Sequence, residues 1–196
     1  MALNEIKKKV GKYMNAGTIG YLLMILGIIL SFFREKLISL FLLGGILVSY
    51  NWIMLGEKKK DLVMKINGSL FFVFPVITIF VTFVAVLLQS VAIIKYYLLS
   101  IFAFGFIGVS INIFSHYRAF KKTKVSYFKF SAVVRVICFS IMGLSSIPLI
   151  KEILSLTSFL QLPMLLTGEQ TKIFLLGSLI YIFACSLSAK GFADVE

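Results

Sequence analysis

The stretch Ser39-Leu-Phe-Leu-Leu-Gly44 returns twice along the chain, as Ser100-Ile-Phe-Ala-Phe-Gly105 and as Lys172-Ile-Phe-Leu-Leu-Gly177. Each copy opens the second apolar run of a pair, so the recurrence divides the chain into three units of two runs each. Working outward from the copies, apolar runs lie near 17–33, 37–55, 69–88, 96–115, 131–150 and 172–188. Most approach the roughly 20 residues that a helix needs to cross a hydrocarbon core of about 30 Å.

Composition agrees with a membrane assignment. The 196 residues are 60% hydrophobic and only 14% charged, against about half apolar and a quarter charged in soluble domains. Lipid offers a backbone no hydrogen-bonding partner, and the runs lack the period-two alternation of barrel strands, so helices are the expected spans. The sequence therefore predicts an all-α polytopic transmembrane bundle, one integral membrane domain over 1–196. Its six spans form three antiparallel hairpins over 17–55, 69–115 and 131–188. The triplet Arg34-Glu35-Lys36 is too short to join the first two runs in any other way. Four spans are the alternative, because the apolar run from Leu62 to Tyr97, broken chiefly by Lys65, Asn67, Pro75, Gln89 and Lys95, also reads as one tilted helix.

Short loops rich in Lys and Arg stay cytoplasmic. Lys7, Lys8, Lys9 and Lys12 precede the first span; Lys58, Lys59, Lys60 and Lys65 follow the second; Arg118, Lys121, Lys122, Lys124 and Lys129 follow the fourth. On the other side Arg34 and Lys36 flank Glu35, and Lys95, Lys151 and Lys172 stand singly. Both termini are expected in the cytoplasm, and the topology points to a bacterial cytoplasmic (inner) membrane. The first run is expected to be retained, since no small-residue cleavage site follows it. Ahead of it, Ile6, Val10, Tyr13 and Met14 fall at helical spacing among lysines, which reads as a basic amphipathic helix over 1–15 lying in the interface.

The net charge of +12 is placed where topology alone puts it, so direct contact with nucleic acid is not the expected use. The loop from His116 to Phe130 alternates aromatic and basic residues, a pattern suited to anionic lipid headgroups or an acidic protein surface. Lys58, Lys59, Lys60, Arg118, Lys121, Lys122, Lys124 and Lys129 are the candidate docking residues. On the outer side, Ile153 to Leu166 is too apolar for a free loop and too interrupted by Ser, Thr and Pro163 for a span, so it reads as interfacial or re-entrant.

Inside the runs, none of the eight acidic residues lies within a span, which argues against a proton or metal-ion pump. Arg135 is the one charged residue well inside, and it is expected to snorkel to the headgroups, with gating or lipid contact as its functional alternative. Asn51 and Asn112 each follow a motif glycine by seven residues, as candidates for hydrogen bonds between helices. Gly44, Gly45, Gly105, Gly108 and Gly177 are the candidate close-packing positions. A single histidine, His116, and two cysteines within spans, Cys138 and Cys185, make neither a metal site nor a disulfide framework. No phosphate loop or dinucleotide fingerprint is present, so no catalytic, cofactor or metal residues are expected.

The run Gly20-Tyr-Leu-Leu-Met-Ile-Leu-Gly27-Ile-Ile-Leu-Ser-Phe-Phe33, a short turn and then Leu42-Leu-Gly-Gly-Ile-Leu-Val48 resembles one hairpin of the HdeD-like acid-resistance membrane proteins. The resemblance implies three helix pairs and supplies no functional residues. The chain is also similar in general character to membrane subunits of bacterial anti-phage systems such as Kiwa. The expected role is a non-enzymatic, oligomeric membrane scaffold or sensor that couples the membrane to a cytosolic partner, in stress response or anti-phage defence. The alternative is a small channel or transporter with its pore between hairpins.

Overall fold

A computed structural model describes residues 15–31, 38–88, 90–155 and 169–195. Six helices run through them with no strand: α1 (Ala16–Ser31), α2 (Ile38–Lys58), α3 (Leu62–Leu87), α4 (Val91–Thr123), α5 (Ser126–Ser155) and α6 (Glu169–Ala193). The basic interfacial helix expected before residue 15 and most of the outer segment 153–166 lie outside the described residues, although α5 itself continues to Ser155. By length and composition, Ser39–Lys58, Val91–Thr123, Ser126–Leu144 and Leu176–Ala193 are long and apolar enough to cross a membrane, as spans of an integral membrane protein are. Ala16–Leu30 and Leu62–Val73 are shorter apolar helices among the described residues. The α3 helix as a whole has 26 residues, about 39 Å at 1.5 Å per residue.

Successive helices pack on one another and α6 returns to α1, so the six close into an up-and-down ring. Three isolated hairpins would leave α2·α3, α4·α5 and α1·α6 apart, yet all three seams are formed, and α3·α4, the expected second hairpin, is the thinnest of the six. Lipid tails are as apolar as these helices, so close packing and interhelical hydrogen bonds hold such a ring together, with little hydrophobic drive between helices.

The closest approach is between α1 and α2. A Cβ built on Gly20 would stand 2.8 Å from the Gly44 carbonyl oxygen, and one on Gly44 would stand 2.5 Å from that of Gly20, so only glycine lets these backbones touch. Asn15 caps α1, its side-chain oxygen accepting the Thr18 N–H at 2.9 Å. Its amide reaches the Phe192 carbonyl of α6, and Thr18 Oγ1 donates to the Ala189 carbonyl at 3.2 Å. These bonds close the ring.

The turns at one end differ from the expected loops. The segment His116–Phe130 is two helix ends joined only by Lys124 and Val125, with Lys124 left-handed at φ 63° and its N–H bonded to the Phe120 carbonyl. Residues 62–68, expected between spans, are the first two turns of α3. Asp61 starts them, its Oδ1 accepting the N–H groups of Val63 at 3.1 Å and Met64 at 3.3 Å.

Candidate functional site

The buried core is concentrated at the end of the ring that carries the Lys58–Asp61 and Lys124–Val125 turns, called the turn end below. Tyr21, Trp52, Phe128 and Phe192 plug it. Trp52 meets Phe192 edge-on at 5.1 Å and His116 at 4.7 Å, and Phe128 meets Phe192 at 5.1 Å. All four aromatic side chains are at most 2% exposed. The indole Nε1–H donates to Tyr21 Oη at 3.0 Å, joining α2 to α1.

Directly against this plug lies a polar cluster that joins α4, α5 and α6. The His116 Nδ1 lies 2.8 Å from the Asn112 carbonyl, one turn back on α4, and its Nε2 lies 2.9 Å from Ser188 Oγ of α6. A carbonyl only accepts, so Nδ1 carries the proton, and Nε2 faces the Ser188 hydroxyl, which also donates to the Ala184 carbonyl at 3.0 Å. Ser188 Oγ is 2.8 Å from Ser131 Oγ of α5, and Ser131 donates to the Ala184 carbonyl at 3.0 Å.

Arg135 completes the cluster. Its Nη2 donates to Ser188 Oγ at 3.1 Å and its Nε to Ser131 Oγ at 3.3 Å. The guanidinium carbon lies 5.1 Å from the centre of the Tyr181 ring and 5.8 Å from that of Tyr21. The residue is 3% exposed, so the expectation that it snorkels to the headgroups is corrected: the side chain turns into the bundle. The hydroxyls and phenol rings of three helices offer acceptors and π faces there that lipid tails do not. No carboxylate pairs with it among the described residues. A formal cation thus sits in the interior, held by neutral dipoles and π faces.

The Ser188–His116 pair has the nucleophile-and-base arrangement of covalent catalysis, with a third group orienting the base. His116, Ser131 and Ser188 are, however, all 0% exposed. What the cluster does chemically is fix a positive charge and lock three helices in register.

The other predicted residues separate. Asn112 is buried and its amide donates to Asn67 Oδ1 of α3 at 3.0 Å. Asn51 is half-buried against Gly17 of α1, so the two asparagines expected to be equivalent serve different seams. A Cβ built on Gly177 would stand 2.8 Å from Met142 Cγ. At Gly45, Gly105 and Gly108 the close-packing expectation is corrected, because a Cβ would meet nothing within 4 Å among the described residues. Gly105 and Gly108 do stand seven and four residues from Asn112 on the same α4 face, where the plug no longer reaches.

Of the candidate docking residues, Arg118 and Lys122 are drawn to Asp61. Arg118 Nε lies 2.6 Å from Asp61 Oδ2 and Lys122 Nζ 4.0 Å from it, while Lys122 also donates to the Lys59 carbonyl at 3.0 Å. Burial opposes ionisation of Asp61, but the Arg118 hydrogen bond, the Met64 N–H and the charges of Arg118 and Lys122 outweigh it, and the carboxyl is held below its ordinary value of 3.8. Lys58, Lys60, Lys121, Lys124 and Lys129 are exposed at the same end, and Lys59 is half-buried. Asp61, Asn67, Ser131, Tyr181 and Ser188 were not singled out from sequence. Asn67 alone carried a signal, as a lone amide in an apolar run.

Compared with family models, curated proteins and solved structures, the chain finds no match in any of the three.

Proposed function

We propose that the chain is a non-enzymatic membrane scaffold or sensor of six spans, both termini cytoplasmic, whose turn end presents a basic face to an acidic cytosolic partner. The observation that carries this reading is the division of charge at that end. Asp61 anchors Arg118 and Lys122 against the bundle, whereas Lys60 and Lys124 project from the two turns, both in left-handed backbone. Lysines fixed at tight turns over a rigid base are a preorganised positive surface, which steers association with an acidic partner. The aromatic plug beneath them favours this over a pore between hairpins, since the ring is filled at the level of Trp52 and Phe192.

Co-purification from membranes tests it. An acidic soluble protein retained by the wild type and lost on Lys60→Glu/Lys124→Glu supports the docking role. Ion or solute flux through liposomes containing only the purified chain overturns it in favour of the channel.

A further inference from the structure

Along the α4–α5 seam the outer surface of the ring is indented by a groove of about 460 Å³, within the roughly 300–1,000 Å³ of small-ligand sites. Ser110, Ile113, Phe114 and Tyr117 of α4 and Ala132, Val133 and Val136 of α5 line it. These positions follow helical spacing, and continuing each face one turn toward the turn end brings Lys121 on α4 and Lys129 on α5. Tyr117 and Phe120 pair there with ring centres 6.5 Å apart. Lys121 Nζ lies 4.8 Å from the centre of the Tyr117 ring, and Lys129 Nζ lies 5.7 Å from that of Phe120. Two ammonium groups are thus held against one aromatic pair, and neither has a carboxylate partner among the described residues. Asp61 is already taken by Arg118 and Lys122.

We infer that this seam binds one anionic phospholipid, with an acyl chain in the groove and the phosphate between Lys121 and Lys129. The inference rests on the membrane-spanning reading above, which puts the ends of α4 and α5 at headgroup depth, but not on the docking of a protein. Three observations converge on a lipid. The groove is apolar apart from Ser110, whose hydroxyl donates to the Phe106 carbonyl of its own helix at 2.8 Å, as an acyl chain requires. Its charged rim lies at one end only, as in a headgroup-and-tail molecule. The lysines lie along the aromatic rings, the amphipathic arrangement favoured at a membrane interface.

Native mass spectrometry of the detergent-purified protein, offered equimolar phosphatidylglycerol and phosphatidylcholine, reads the site. With two lysines beside the phosphate, the expected preference for phosphatidylglycerol is about tenfold or more. Lys121→Gln/Lys129→Gln is expected to abolish that preference, and Lys151→Gln, at the opposite end, to preserve it. Ala132→Phe fills the groove while leaving both lysines, and is expected to lose the bound lipid. Glycerol phosphate, which has no acyl chain, is expected not to displace it.

An undiminished preference in the double glutamine variant overturns the proposal. So does displacement by glycerol phosphate, which assigns the lysines to a free phosphate ester. A dimer that excludes lipid and is lost in Ala132→Phe assigns the groove to a second copy of the chain and overturns it as well. Carbonate washing of the same membranes separates the two readings. A chain that washes off removes the membrane assignment and the lipid site together, and a chain that stays but shows no lipid preference removes the lipid site alone.

Discussion

At the scale of the residue, Arg135 and Asp61 use opposite strategies for a buried charge. Asp61 is paired, capped and close to water; Arg135 is enclosed and relies on hydroxyls and rings. Replacing buried charge by a well-packed apolar side chain of similar volume is often neutral or stabilising, so Arg135→Met is expected to leave thermal stability in detergent unchanged or higher. Ser188→Ala instead strips a partner from both His116 and Arg135, and leaving such groups unpaired costs about 1–3 kcal/mol. It is expected to lower the melting temperature, and a fall for Arg135→Met with none for Ser188→Ala would contradict the account of the cluster.

For Asp61 the sign follows from its lowered folded-state value: its contribution is complete above the unfolded value of about 3.9 and is lost as pH falls through the lower folded one. Wild-type protein is therefore expected to lose stability below about pH 4, and Asp61→Asn to be weaker at neutral pH with a flatter acid profile. Equal acid profiles would count against the pair. A fluorophosphonate probe tests the non-enzymatic reading at Ser188. No labelling is expected; labelling of the wild type that disappears in Ser188→Ala would show that the enclosed serine and histidine reach a substrate.

At the scale of the element, the thrice-repeated opening falls near the start of α2 and α6 but nine residues inside α4, and it did not show what the glycines do. Only Gly44 brings two backbones together; Gly177 meets a methionine, and Gly105 faces open space. Helices that are apolar all round have no sequence-readable face, so spacing alone could not separate these three. Arg135 read as a snorkelling residue because Ser131, one turn back, was visible in the sequence but Ser188, across on α6, was not. Overpacking costs about 1–3 kcal/mol. Gly44→Val is accordingly expected to lower the melting temperature by several degrees, while Gly105→Ala and Gly45→Ala are tolerated. Comparable losses at Gly44 and Gly105 would contradict the observed seams. The charged turns were more legible, since the Lys-rich segments do form the links at one end. Their brevity was missed, because aromatic residues at helical spacing around Tyr117 and Phe128 extend α4 and α5 into what composition alone marks as loop.

At the scale of the whole molecule, the central claim is a ring of six antiparallel helices, all spanning, with the Lys60 and Lys124 turns together on the cytoplasmic side. The helical class and the apolar spans were readable from composition and run length. The closure of α6 on α1 was not, because it depends on Asn15, Thr18 and Ala189, residues 171 or more positions apart across the seam, and no local pattern encodes such a pairing. Of the two shorter apolar helices, Ala16–Leu30 and Leu62–Val73, the second is tested by the side on which the turn after α3 lies. Single cysteines at Lys60, Leu88 and Lys124, in a background with Cys138 and Cys185 replaced by alanine, can be labelled in intact cells with a membrane-impermeant maleimide. The account predicts that Leu88→Cys is labelled from outside while Lys60→Cys and Lys124→Cys react only after the membrane is opened. Labelling of positions 60 and 88 from the same side would mean that α3 does not span, and would contradict the six-span ring.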